Sequence, residues 1–261
     1  MTKKKKEKKI SKKLGIAIIV ICSVLIVVLA VALLRAPKKG DNVADADAIA
    51  SDSNVNDKAD GSAEGLAIPE KDIDWKELKE ENEDIYAWIY IPNTNIDYPI
   101  LQHDTDNDYY LNHNVDGSSG YPGCIYSQVQ YNGMDFTDKN TVLYGHNMKN
   151  GTMFADLHKF EDINFFDENR YVYIYMPDKA LTYEIFGAYI FTDALIPEKY
   201  DFNSEQGFKD YLEMVFSVSG ATFHNDTVNK MTFDDKLLTL STCIPNQERF
   251  RWIVQGVLEE E

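Results

Sequence analysis

Residues 14–34, LGIAIIVICSVLIVVLAVALL, run for 21 positions without a formal charge. A helix of that length rises about 30 Å, the thickness of a bilayer's hydrocarbon core. Nothing else constrains the chain so strongly, because the run divides it into pieces with different surroundings. Eight lysines precede it, and only Arg35, Lys38 and Lys39 follow closely. That bias keeps residues 1–13 as a basic cytoplasmic segment and sends the remainder to the outer face. The competing reading is a cleavable signal peptide, with Ala30-Val31-Ala32 as the cleavage site. Signal-peptide apolar regions span about 7–15 residues, so a single-pass anchor over 14–34 is the expectation. Under both readings the body is exported.

Charge separates the same pieces. The formal net charge of −17 hides a head, residues 1–39, with eleven Lys/Arg and one Glu; residues 40–261 carry 15 basic and 42 acidic side chains. A body that acidic repels phosphate backbones, which excludes nucleic acid as a partner. Residues 35–68 are rich in Ala, Asp, Asn, Ser and Gly, with no aromatic residue after Arg35. They read as a flexible spacer.

Residues 69–261 carry the pattern of a folded domain. The segment from Pro69 to Trp88 suggests one or two short helices. AWIYIPNTNIDYPILQ reads as strand, Asn-Thr-Asn turn, strand. GCIYSQ and KNTVLYGHN read as strands, the latter ending at Gly145. In GTMFADLHKFEDINFFDEN, Met153, Phe154, Leu157 and Phe160 recur at helical spacing. YVYIYMP, ALTYEIFGAYIFT, KLLTLSTC and RWIVQGVL are further strands. Between the second and third of these lies an excursion, 193–229, with a helix capped by Ser204. Many short strands with few helices predict a mainly β, mostly antiparallel barrel with helices on its rim. No repeat and no metal-spaced Cys/His cluster is present, and neither metal nor cofactor is expected.

Of three cysteines, Cys22 is an apolar residue of the 14–34 run, and Cys124, in YPGCIYSQ, reads as a small buried residue. Cys243 ends a strand whose alternation puts Leu237, Thr239, Ser241 and Cys243 on one face. In the strand that follows, Arg249, Arg251, Ile253 and Gln255 share a face. Antiparallel pairing across a connection of about five to seven residues sets an arginine beside the sulfur. A guanidinium there favours thiolate and can donate to an oxyanion when a carbonyl is attacked. A nucleophilic cysteine also needs a proton carrier. Among five histidines, His103, His113 and His224 lie in loops and the excursion, and an exposed helical position suffices for His158. His146 follows a strand end at Gly145, as Cys243 does its own. The bland alternative is a half-buried cysteine beside a surface ion pair.

TLSTC, the arginine eight residues on in RWIV, YGHNMKNGTMF, NTNIDYPILQ and NDYYLNHN together resemble a class B sortase over about residues 75–258. The resemblance implies an eight-stranded β-barrel with N-terminal helices and a helix-bearing connection before the cysteine strand, a position that 193–229 fits. It implies Cys243 as nucleophile, His146 as its histidine and Arg251 as its arginine, with Arg249 a same-face rival. It implies Asn107, Leu111 and Ser241 as substrate-groove positions. Cys124 departs from the family, which more often has serine there.

The implied activity is that of a cysteine transpeptidase. It cleaves a C-terminal sorting signal of the Asn-Pro-X-Thr-X kind after Thr and passes the thioacyl group to a peptidoglycan amine or its lipid-linked precursor. The implied location is the outer face of a Gram-positive cell membrane. A pilin polymerase with a lysine acceptor is an alternative within the same chemistry. A non-catalytic, membrane-tethered β-barrel binding module is an alternative of another class. In papain-like hydrolases the cysteine precedes the histidine, which disfavours them here.

Overall fold

The structure is a computed structural model and describes residues 67–260. The basic segment, the 14–34 run and nearly all of the spacer lie outside the described residues. Among the described residues no helix is long and apolar enough to cross a membrane.

The first helix, α1 (Trp75–Glu81), begins where the Asp74 carboxylate accepts the Glu77 amide at 2.9 Å, a side-chain cap for an otherwise orphaned donor. Strands β1 (Ile85–Tyr90) and β2 (Asp97–Leu101) pair antiparallel across the Asn-Thr-Asn turn. Asn93 takes a φ of 61° in that turn, a conformation Asn tolerates better than most residues. There follow β3 (Ile125–Tyr126), β4 (Asn140–Tyr144), α2 (Ile163–Glu168), β5 (Tyr171–Tyr175) and β6 (Ala180–Thr192). The excursion after β6 holds α3 (Ile196–Lys199), α4 (Glu205–Phe216), β7 (Thr222–Phe223) and α5 (Asn225–Val228). β8 (Leu237–Ile244) and β9 (Gln247–Glu260) end the domain.

The strands run β5-β1-β2-β3-β4-β8-β9-β6-β7, and β5 also pairs with β6. That pairing closes eight strands into the expected barrel and leaves β7 as an addition on β6. Closure removes the open edges that a sheet would otherwise expose. Most pairs are antiparallel, but β2–β3 and β4–β8 are parallel. The second of these matters for function. Parallel strands end at the same rim of the barrel; His146 lies two residues beyond the end of β4, and Cys243 one residue before the end of β8.

Alternation along β8 and β9 sorts two cores. Leu238, Leu240, Trp252 and Val254 point into the barrel with Leu143 and Ile89. Leu237, Ile253 and Val257 point out, into a second cluster with Phe208, Tyr211 and Val215 of α4. Ser204 caps α4 by accepting the Gly207 amide at 3.1 Å, as the sequence predicts. The outer face of β8, the face of Cys243, is therefore roofed by the excursion over much of its length.

One expected helix is corrected. Residues after Met153 form a 3₁₀ helix (Ala155–Glu161) and then α2, not one continuous helix. Met153 has a φ of 57°, and the Asp162 carboxylate accepts the amides of Asn164 and Phe165 at 2.8 and 3.2 Å. Asp162 thus starts a new helix where the old one would have continued. Leu157 and Phe160 are nonetheless fully buried.

Candidate active site

A cleft of about 170 Å³ opens at the rim where β4 and β8 end and β9 begins. His146, Ser241, Cys243 and Arg251 line it, together with Leu111 from the β2–β3 loop and the stretch from Phe191 to Ile196 at the start of the excursion.

Register explains the convergence. Along the parallel β4–β8 pair, Tyr144 stands opposite Ser241. The pairing continues one step, with the Gly145 amide donating to the Ser241 carbonyl at 3.2 Å and the Thr242 hydroxyl donating to the Gly145 carbonyl at 2.8 Å. Advancing both chains equally sets His146 level with Cys243. A Cβ at Gly145 would lie 2.5 Å from Ile125 Cδ1 and 2.8 Å from the Phe154 ring, so any side chain there forces its neighbours to shift.

On the other flank, Cys243 is the direct antiparallel partner of Arg251. Seven residues separate the two, as the sequence allows, but they do not form one open loop. Ile244 pairs with Gln247 across a two-residue turn, and Asn246 takes a φ of 61°. Glu248, Arg249 and Phe250 are the extra residues between those two pairs, a bulge of the kind that re-aims side chains at a barrel rim. The Arg251 guanidinium donates back to the carbonyls of Glu248 and Phe250 at 2.8 and 2.9 Å. Those bonds hold it in place. Arg249, within the bulge, is exposed and outside the cleft lining; its carbonyl accepts the Asp193 amide at 3.0 Å.

Cys243 is exposed and free, whereas Cys124 is free and buried. Burial, with Asp116 and Glu81 adding repulsion, pushes the Cys124 thiol up to about 12. It is an inert thiol at neutral pH. The His146 Nε2–H donates to the Leu111 carbonyl at 2.8 Å, which leaves Nδ1 as the other ring nitrogen. The Tyr121 ring stands 4.9 Å from the imidazole. Tyr126 and Tyr144 also line the cleft, and burial raises both phenols well above their ordinary range, so they stay neutral. Tyr126 senses Cys243 and Arg251 electrostatically, with opposite signs.

The remaining sequence candidates fall as follows. Leu111 and Ser241 line the cleft; Asn107 does not, and its amide exchanges hydrogen bonds with Gln130, side chain and backbone, both at 3.0 Å. Asp108 lines the cleft instead. Among the histidines, His103 and His113 stack on Tyr109 at 4.3 and 3.9 Å, and the His224 ring shares a hydrogen bond with the Ile185 carbonyl. His158 is the residue that sequence reading underrated: its Nε2–H donates to the Cys243 carbonyl at 3.0 Å. Strand parity in CIYSQ is a signal for Tyr126, but nothing in the sequence announces a contact to a distant backbone carbonyl. Among the described residues no group of His, Cys, Asp and Glu could hold a metal ion.

Comparison with known proteins gives the family of the chain. A sortase domain family model matches residues 89–259. Sortase B of Listeria monocytogenes is 38% identical over 188 residues, covering 70% of this chain and 73% of that protein. The crystal structure of Clostridium perfringens sortase B superposes with a TM-score of 0.63 at 35% identity, covering 71% of this chain and 99% of that one. A Staphylococcus aureus sortase B–substrate complex superposes with a TM-score of 0.62 at 25% identity, covering 71% of this chain and 84% of that one.

Proposed function

This chain belongs to the sortase family and is a class B cysteine transpeptidase, and on that premise we propose that it works through Cys243, His146 and Arg251 on a C-terminal sorting signal of the Asn-Pro-X-Thr-X kind. The observation that carries the assignment is the register. Three adjacent strand ends bring a thiol, an imidazole and a guanidinium to one rim.

The chemistry follows from those positions. The Cys243 thiolate attacks the Thr carbonyl carbon. Negative charge collects on the carbonyl oxygen, where Arg251 donates; a preorganised donor of this kind contributes about 10²–10³ in rate. The C–N bond then breaks, and the leaving amine takes a proton from His146. A thioacyl-enzyme remains. A peptidoglycan amine, or that of a lipid-linked precursor, attacks the same carbon, gives its proton to His146 and expels the Cys243 thiolate. The bond formed is an amide, and the enzyme returns unchanged.

Residues 14–34 tether this domain to the outer face of the membrane, where secreted substrates and wall precursors meet; the charge bias around the run supports that orientation. The S. aureus sortase B relative has been solved with its substrate, which supports a peptide-binding role for the equivalent cleft here.

The test is turnover of a peptide library with varied signal positions, with mass spectrometry of the protein. Asn-Pro- or Ser-Pro-containing peptides should be cleaved and Leu-Pro-X-Thr-Gly peptides should be poor. A thioacyl adduct should map to Cys243 and vanish in Cys243→Ala. Turnover by Cys243→Ala would overturn the assignment.

A further inference from the structure

The side of β8 that pairs with β4 changes partner at Cys243. Two residues earlier on that side the Ser241 carbonyl accepts a backbone amide, that of Gly145. Strand β4 has ended by the next position, and a bare carbonyl there would leave the end of β8 without a partner on that side. Two side chains take over instead. Asn147 Nδ2 and His158 Nε2 each donate to the Cys243 carbonyl at 3.0 Å. They arrive from different elements, one from the loop after β4 and the other from the 3₁₀ helix.

His158 is itself braced on every side the structure shows. Its Nδ1 meets the Glu161 carboxylate at 2.5 Å. Its ring lies parallel to Trp252, 6.0 Å away with a 21° tilt. Trp252 is the residue after Arg251, and its indole N–H donates to the Leu157 carbonyl at 2.8 Å. One short helical turn therefore touches the backbone of the nucleophile and the neighbour of the arginine. The sulfur and the guanidinium are located relative to each other through His158 as well as through their own strands.

We propose that His158 is a positioning residue of the transpeptidase: by donating to the Cys243 carbonyl while stacking on Trp252, it fixes the aim of the Cys243 sulfur relative to Arg251 and so sets kcat. This rests on the reading of Cys243 as the nucleophile. His158 touches neither the substrate cleft nor the reacting atoms, so its loss acts on the chemical step and leaves peptide binding alone. Small displacements of a reacting group are costly, about 10²-fold for an ångström.

The test compares His158→Phe and His158→Gln in the full-length chain in detergent, by steady-state kinetics on one cleavable sorting-signal peptide and by thermal melting. Phenylalanine keeps a flat ring on Trp252 and removes the N–H. Glutamine loses the ring and restores an N–H donor. His158→Phe should lower kcat about tenfold with KM within about twofold, and His158→Gln should recover kcat to within about threefold of the parent. A parental kcat in His158→Phe overturns the proposal. So does an equal loss in both variants, or a change confined to KM. If His158→Phe does not fold, His158→Met replaces it, since methionine resembles glutamine in reach but lacks the donor. Cys243→Ala is run alongside. Its turnover would sink the nucleophile reading, whereas an inactive Cys243→Ala beside a fully active His158→Phe would sink only the positioning role.

Discussion

Cys243 and Arg251 are the last directly paired residues of β8 and β9 before the register breaks. The bulge that follows separates the two arginines that sequence parity left equivalent. Arg251 turns into the cleft and is tied to two carbonyls of the bulge, while Arg249 stays exposed outside it. Guanidinium geometry is not reproduced by an ammonium. Arg251→Lys should therefore lower turnover at least about tenfold, with a smaller effect on binding. Arg249→Lys should stay within about threefold, the scale of an exposed charge. Steady-state kinetics of the two variants on one peptide checks this, and a crippled Arg249→Lys would reassign the oxyanion donor.

The two thiols of the folded domain should differ sharply in reactivity. Cys243 is exposed, and Cys124 is buried with its thiol held protonated to about pH 12. Of these two thiols, brief treatment of the native protein with iodoacetamide near pH 8 should modify Cys243 alone. Intact-mass and peptide mapping read this directly. In Cys243→Ala, Cys124 should stay unmodified until the protein is denatured.

Cys124 also has a consequence for alkaline stability. Its folded pKa of about 12 lies above the ordinary thiol value of 9.0. Above pH 9 the unfolded chain releases this proton while the folded chain keeps it. The unfolded state then binds fewer protons, so stability falls as pH rises from about 9 to about 12. Buried tyrosines with raised phenols act in the same direction. Cys124→Ala should make the decline in denaturant midpoint between pH 8 and pH 10.5 shallower than in the parent. An unchanged slope would show that Cys124 does not contribute.

Gly145 is where β4 gives way to the His146 loop. A methyl group there would press on Ile125 and Phe154. Gly145→Ala should destabilise the domain by about 1–3 kcal/mol, the usual range for overpacking a filled core. It should also lower activity beyond what the fraction unfolded accounts for, because relief of the clash moves the His146 loop. Denaturant unfolding followed by kinetics at a temperature well below the midpoint separates the two effects.

Alternation made much of this legible. The hydrophobic period along 237–258 placed Cys243 and Arg251 on one face, and the Ser204 cap marked the start of α4. Motif resemblance supplied His146. What parity could not supply was pairing direction: KNTVLYG does not reveal that its neighbour is β8, or that the pair is parallel. The two-residue turn and bulge at 245–250 were hidden as well, because a bulge adds residues without altering composition. The helix expected after Met153 was interrupted by a single carboxylate, Asp162, whose capping competes with helical continuation. His158 stayed hidden because its partner is a backbone carbonyl 85 positions away, which no side-chain pattern records.

The parallel seam between β4 and β8 joins Gly145 to Thr242, 97 residues apart. Closing a loop that long costs entropy that only the completed pairing offsets, so topology of this kind slows folding. A chain that has not closed its barrel thus carries the thiol, the imidazole and the guanidinium, but scattered. Cleavage by a transpeptidase built this way is accordingly a report on completed closure, and a partly folded chain has no assembled centre to be acylated by passing peptides.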